Sequence, residues 1–204
     1  MQQLRFLETK FPNENTTFIC PTWDELQLIT FNLATAILNS GVQVDRVVTL
    51  AKGGWPMTRS LVDFLQIPHV ASIGVKFYTD IDTKLDKPVI YQELPISVRG
   101  ESVLLFDDVA DSGGSLLFVK EHLLAQGVKQ VTTATQLYKP HSKLKPDYFG
   151  QETTSWVIFP YEVFDSMSLL QMRWKKQGCE VQEIRARLVK LGFATPYIEQ
   201  FLER

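Results

Sequence analysis

Cysteine is almost missing from this chain. There are two in 204 residues, Cys20 and Cys179, far apart in sequence. That excludes a disulfide-stapled scaffold and points to two reduced thiols in a cytoplasmic protein. Histidine is scarce too: His69, His122 and His141 form no metal-ligand spacing with either cysteine. An excess of one charge is also lacking. The 21 Lys and Arg stand against 23 Asp and Glu, for a formal net charge of −2. Such a balance provides no broad positive field for nucleic acid, so any anion site must be local. No stretch approaches the roughly 20 apolar residues of a membrane span. The N-terminus, Met1-Gln-Gln-Leu-Arg-Phe6, leads into no long apolar run, so no signal peptide is expected. Internal repeats and low-complexity tracts are absent. The chain has neither Gly-x-x-x-x-Gly-Lys-Ser/Thr nor Gly-x-Gly-x-x-Gly, which excludes a Walker A loop and a dinucleotide turn.

What remains is a chain 45% apolar, long enough to bury a core as one α/β domain with a small appendage. Thr22-Trp-Asp-Glu25 reads as a capping box opening a helix with Leu26, Ile29, Leu33, Ile37 and Leu38 at helical spacing, stopped by Gly41. Arg46–Ala51 reads as a strand ending in Lys52-Gly-Gly-Trp-Pro56, with a helix from Met57 to Leu65. Next come a strand at 69–75 and a polar, Pro-punctuated stretch, residues 76–100, that looks like a mobile hairpin or hood. Val103–Phe106 is the expected central strand. A helix over Ser115–Gln126 follows it, then strands at Val131–Leu137 and Trp156–Phe159, with residues 139–154 as a polar loop. Alternating strands and helices imply βαβ units and a mostly parallel sheet, with ligands beyond the carboxyl ends of its strands. After Ser166 the pattern changes to basic residues alternating with Val181, Ile184, Leu188 and Leu191, then Tyr197–Leu202. It reads as two short helices, a packed appendage or a dimer contact, with a regulatory or partner-binding module as the sharper alternative.

The run from Val103 to Ser115 is the most informative. Four apolar residues lead into Asp107 and Asp108. Val109 and Ala110 follow, then Asp111-Ser112-Gly113-Gly114-Ser115. Adjacent carboxylates at the end of a buried strand repel each other, and a cation or a set of hydroxyls relieves that cost. Glycines let a backbone approach a ligand, and a helix N-terminus favours an anion. Mg²⁺ suits such acids because it prefers oxygen ligands and often binds through few carboxylates plus substrate phosphates. The plainer readings are a solvated acid pair and an ordinary capping turn. Lys52 and Gly53 stand on a second glycine turn at a strand end, fitted to a diphosphate or simply solvated. Tyr138-Lys139-Pro140 and Trp156-Val157, with Glu162 close behind, offer a lysine donor and an aromatic face for a flat base. The alternatives there are a surface lysine and core packing.

In this order, these pieces resemble the type I phosphoribosyltransferases, in particular the purine family of xanthine-guanine and hypoxanthine-guanine enzymes. The resemblance runs from Thr22 to about Glu162. It departs from that family in Ser112 and Ser115, where Thr is more usual, and in the appendage after Ser166; Lys52 stands where the xanthine-guanine type commonly has Arg and hypoxanthine-type members often carry Lys. The resemblance implies a type I phosphoribosyltransferase fold over residues 1–166 and a helical extension over 167–204. It implies transfer of phosphoribosyl from phosphoribosyl diphosphate (PRPP) to hypoxanthine, guanine or xanthine, giving a purine nucleoside monophosphate and diphosphate with Mg²⁺. In the implied site Asp107 and Asp108 hold the ribose and the metal. The loop from Asp111 to Ser115 seats the 5′-phosphate, and Lys52 with Gly53 binds diphosphate. Asp111 is the catalytic base at N7. Lys139, Trp156, Val157 and Glu162 bind the purine. A homodimer or higher homo-oligomer follows by analogy alone. Two rival expectations stand beside it: a PRPP- or nucleotide-sensing regulator of the same fold that binds nucleic acid, and a transferase for orotate or uracil.

Overall fold

In the computed structural model, which describes residues 4–80 and 83–202, the chain begins with β1 (Glu8–Lys10), β2 (Thr17–Ile19) and α1 (Trp23–Ser40). It continues through β3 (Arg46–Ala51), α2 (Trp55–Leu65), β4 (Val70–Asp80), β5 (Thr83–Gln92), β6 (Ser102–Ala110), α3 (Gly114–Ala125) and β7 (Gln130–Tyr138). The last elements are β8 (Tyr148–Glu152), β9 (Trp156–Val157), α4 (Val163–Lys176), α5 (Val181–Lys190) and α6 (Thr195–Phe201). None of the described helices is long and apolar enough to cross a membrane.

Contacts divide the chain into two units. The first, Leu26–Thr153, is built on a six-stranded sheet of order β5-β4-β3-β6-β7-β8. Every pairing from β4 across to β8 is parallel, and only β5 runs antiparallel, along β4. This is the mostly parallel α/β sheet flanked by helices that the alternating pattern implies. The central strand shows why: Val103, Leu104, Leu105 and Phe106 are all buried, so both faces of β6 are covered, as a parallel sheet requires. One core packs Val48, Leu50, Ile73, Val103 and Leu105 against Leu116, Val119 and Leu123 of α3. Residues 81 and 82 and the side chains of residues 77–87, including Tyr78, Thr79, Lys84, Asp86 and Lys87 of the expected hood, lie outside the described residues. On either side of them β4 and β5 pair as a hairpin.

The second unit joins residues 4–25 to 154–202. Its small sheet has the order β1-β2-β9, with β2 and β9 parallel. Phe11 and Phe18 pack there with Trp174 of α4, Ile184 and Leu188 of α5 and Ile198 of α6. Glu14 is buried in this unit and accepts hydrogen bonds from Arg173 Nε (3.0 Å), Arg173 Nη2 (2.7 Å), Trp174 Nε1 (2.9 Å) and Gln177 Nε2 (3.2 Å). Arg173 holds its carboxyl below the usual range. Cys20 and Cys179 are both free thiols, and burial pushes Cys20 up to about 11.

Local signals came through well. The capping box forms: Thr22 N donates to Glu25 Oε2 (2.7 Å) and Glu25 N to Thr22 Oγ1 (3.2 Å). Gly41, at φ +72°, ends α1. Four corrections follow from the packing. Leu38, at helical spacing with the buried residues of α1, is 56% exposed. The central strand runs on to Ala110, because β7 keeps pairing with it through Tyr138, so Asp107 and Asp108 are strand residues. The polar stretch 139–154 contains β8, an edge strand alongside β7. The C-terminal region holds three helices instead of two; the first starts at Val163, ahead of the basic residues used to find it.

Candidate functional site

The parallel register sets three connections side by side. β3 ends at Ala51, β6 at Ala110 and β7 at Tyr138, and Ala110 lies opposite Tyr138. The turns that leave these strands carry Lys52-Gly53-Gly54, Asp111-Ser112-Gly113 and Lys139-Pro140-His141. In the first unit, therefore, the fold gathers Lys52, Gly53, Asp107 to Ser115 and Lys139 at the carboxyl ends of neighbouring strands.

On β6, successive side chains point to opposite faces, so Asp107 and Asp108 diverge. Asp108 is buried at 7% exposure and lies against the β3 turn. A Cβ at Gly53 would sit 2.5 Å from Asp108 Oδ2, and one at Gly54 would strike Thr49 Oγ1 and the carbonyl oxygens of Leu50 and Phe106. Both glycines are there for close approach. The Ala51–Lys52 peptide is cis, Lys52 is exposed, and Gly54 leads into α2 with Pro56 in its first turn. The Asp108 amide donates to Asp107 Oδ1 at 3.0 Å.

The loop after β6 turns through Gly113 at φ +73°, a left-handed position natural to glycine, where a Cβ would meet Ser142 Oγ and the Leu144 amide. Gly113 caps α3, whose first amides lack helical partners and face the loop. Val109 and Ala110 complete the strand beneath it, and Ser112 Oγ accepts from the Gly114 amide (3.3 Å). Asp111 projects from this loop, 55% exposed. Lys139, whose side chain is 10% exposed, donates from Nζ to Asp111 Oδ2 at 2.7 Å. His141 Nε2 reaches the other oxygen, Oδ1, at 3.0 Å. Sequence reasoning placed His141 in a polar loop and missed it. The signal available was its position two residues past Lys139, on a turn leaving the strand next to β6.

Trp156, Val157 and Glu162 belong to the second unit. β9 lies in register with β2, Trp156 opposite Phe18 and Val157 opposite Ile19. Val157 is buried, whereas Trp156 is 39% exposed and lines a cleft of about 280 Å³ with Phe18, Leu169, Met172, Arg173 and Lys176. Glu162 caps α4, its carbonyl accepting from the Ser166 amide (2.8 Å). A stacked pair, Phe159 and Tyr161, lies just before it.

Among the described residues no three or more His, Cys, Asp or Glu side chains gather to hold a metal ion. Asp107 and Asp108 do offer carboxylate oxygens, the donors Mg²⁺ prefers. Pointing to opposite faces, they fit an ion that takes a single carboxylate from the protein and completes its shell with substrate oxygens and water.

The profile of the family described as phosphoribosyl transferase domain matches residues 8–164. The chain is 27% identical over 143 residues to the xanthine-guanine phosphoribosyltransferase of Nitratidesulfovibrio vulgaris, a match covering 69% of this chain and 82% of that one. Its fold is similar to that of a purine phosphoribosyltransferase from Pyrococcus horikoshii (TM-score 0.64, 29% identity, 71% of this chain and 93% of the other). It is also similar to a hypothetical protein from Neisseria gonorrhoeae with bound ppGpp (TM-score 0.66, 25% identity, 74% and 92%). The glycine turn after β3, the acid-rich end of β6 and the Lys139 turn after β7 all fall inside the matched residues, and this chain belongs to the phosphoribosyl transferase domain family.

Proposed function

We propose that the protein is a purine phosphoribosyltransferase that joins a 6-oxopurine to the ribose of PRPP, releasing diphosphate and a purine nucleoside 5′-monophosphate. One observation carries the reading: Asp108, at the end of the central strand, packs on the Lys52-Gly53-Gly54 turn, next to a loop that opens α3 through a left-handed glycine. Ribose, diphosphate and 5′-phosphate each have a matching group there.

In the proposed reaction the base attacks C1′ as diphosphate leaves, through a transition state with oxocarbenium character. Lys52 and the amides of its turn take up charge on the departing diphosphate. Asp107 and Asp108 orient the ribose hydroxyls. The amides from Asp111 to Ser115, with the hydroxyls of Ser112 and Ser115, seat the 5′-phosphate at the start of α3. Asp111 receives the N7 proton as N9 bonds to C1′. Lys139 donates to the 6-oxo group; the family resemblance alone assigns Trp156, Val157 and Glu162 to the purine. Mg²⁺, held through Asp107 or Asp108 and substrate oxygens, would neutralise diphosphate charge.

The test is a spectrophotometric assay with Mg²⁺ and PRPP, run separately with hypoxanthine, guanine, xanthine, adenine, orotate and uracil. Turnover of a 6-oxopurine is the expected result, and the bases accepted define the 2-position pocket. The similarity to a ppGpp-bound protein supports a second reading, in which a guanine nucleotide bearing diphosphate occupies the same phosphate subsites. PRPP or ppGpp binding without turnover of any base would favour that reading.

A further inference from the structure

His141 is the residue at this site that the phosphoribosyl-transfer reading leaves unused. It stands on a turn fixed to the loop it serves. The Lys139 amide donates to the Ala110 carbonyl (3.0 Å), the Lys143 amide to the Ser112 carbonyl (2.9 Å) and the Ser142 amide to the Lys139 carbonyl (2.9 Å). Gly113 leaves room for Ser142 and Leu144, so the 139–144 turn lies directly on the 110–113 loop. From that turn His141 Nε2 reaches Asp111 Oδ1 at 3.0 Å while Lys139 Nζ holds Oδ2 at 2.7 Å. An ionised carboxylate only accepts, so the imidazole nitrogen facing it carries the proton.

We propose that His141 is a positioning residue that fixes the plane of the Asp111 carboxylate, so that Asp111 stays aimed when Lys139 is drawn to the substrate base. The inference rests on the phosphoribosyl-transfer reading for its kinetic consequence, but not for its geometry. A half-exposed aspartate without a partner turns about its side-chain bonds, whereas one still held at Oδ1 from a turn hydrogen-bonded to its own loop keeps its orientation when the Oδ2 contact is released. Lys139 has two tasks under this reading, the carboxylate and the 6-oxo group of the purine. Each time the lysine moves toward the base, one anchor of Asp111 loosens. His141 touches neither base nor ribose in this scheme. It preserves the orientation of the proton acceptor.

The experiment combines kinetics with a spectroscopic measurement that needs no turnover. His141→Ala is expected to lower kcat about fivefold, the upper scale of a solvent-exposed ion pair, while KM for PRPP changes less than about threefold. His141→Gln, which can still present an N–H near Oδ1, should recover most of that loss. His141→Phe, which keeps the bulk without the donor, should not. In an Asp111→Asn background, His141→Ala should cost nothing further, since a residue acting through Asp111 has nothing left to position. Nitrogen-15 NMR of the imidazoles, with His141 assigned by its disappearance in His141→Gln, should show Nε2 protonated in the wild type and that preference lost in Asp111→Ala, which removes the acceptor. A kcat within twofold of wild type in His141→Ala, an undiminished loss in the Asp111→Asn background, or an imidazole spectrum indifferent to Asp111→Ala would each overturn the proposal. Absence of turnover in the wild type would instead overturn the transfer reading and leave the NMR comparison to decide the contact.

Discussion

Gly53→Ala tests the site more sharply than removal of any charged group. The added methyl would lie 2.5 Å from Oδ2, 2.7 Å from Cγ and 2.8 Å from Oδ1 of Asp108, that is, on the face of the carboxylate. Ordinary contact needs about 3.5 Å, so the carboxyl group has to move by roughly 1 Å. Asp108 is short and buried, with little slack. Gly53 is outside the positive-φ glycines, so alanine meets no backbone strain there, and its smaller unfolded entropy is worth about 0.4–1 kcal/mol of stability. Overpacking opposes this with about 1–3 kcal/mol. The net loss of stability is therefore at most ~2.5 kcal/mol, or up to about 10 °C in Tm for a chain of this size. Binding should suffer more. A displaced Asp108 loses a hydrogen bond of the charged kind, about 1.5–3 kcal/mol, which weakens PRPP roughly 10- to 150-fold. Gly54→Ala is the control: its methyl strikes Thr49 and two carbonyl oxygens of β3 and β6, so it strains the sheet itself. Calorimetric PRPP titration and thermal melts, run on both variants, should separate them. Gly54→Ala should lose more Tm, and Gly53→Ala more PRPP affinity per degree lost. A folded Gly53→Ala protein that binds PRPP within twofold of wild type would refute the role given to Asp108.

Three further outcomes are expected. Asp111→Asn should lower kcat about 10²- to 10⁴-fold with PRPP affinity within threefold, by steady-state kinetics and titration; unchanged turnover removes it as the base. Lys139→Ala should raise KM for 6-oxopurines and lower kcat together, because it withdraws both the proposed base contact and one anchor of Asp111; an unaltered profile would locate the base elsewhere. Glu14→Ala should cost about 2–3 kcal/mol in urea denaturation at pH 7, below the usual figure for a broken buried pair because Arg173 is 35% exposed. Since Glu14 is held below 4.5 in the folded state, its stabilisation is complete above that value and fades as pH falls through the lower, folded one. The variant should therefore show a shallower acid limb than wild type, and parallel limbs would argue that the carboxyl group is not ionised in the fold.

The parts of the fold readable in advance were those dictated by local chemistry. β3 was bounded by its β-branched run and glycine turn, and α1 by a capping box whose reciprocal hydrogen bonds need only four consecutive residues. The misread parts depend on partners distant in sequence. Val109 and Ala110 look like a loop beside two aspartates, yet β7 pairs through to Tyr138 and extends the strand beneath them. β8 is alternately half-exposed, and its ladder with β7 holds it in place. α4 has its apolar residues interrupted by Asp165, Ser166 and Ser168, so its first turn does not read as a helix. That the acids, glycines and Lys139 of the candidate site lie together was legible because the ends of parallel strands collect them whatever the details of packing. His141 was not, because its meaning lies in a contact across 30 residues, with Asp111.

The same distinction applies to the second unit. Strands of two or three residues such as β1, β2 and β9 cannot stand alone in water; they bury too little apolar surface. Their cover is Trp174, Ile184, Leu188 and Ile198, residues lying beyond those the family profile matches. Phe11 and Phe18 meet Trp174 edge-on, at 5.4 and 6.3 Å, and Glu14 from the same N-terminal segment takes up the Trp174 N–H. A segment near each end of the chain thus completes one core. β9 is paired to β2 in that core, and Trp156 and Val157 are its two residues. Whatever the extension does besides, its first physical task is to hold in register the short strand that carries them.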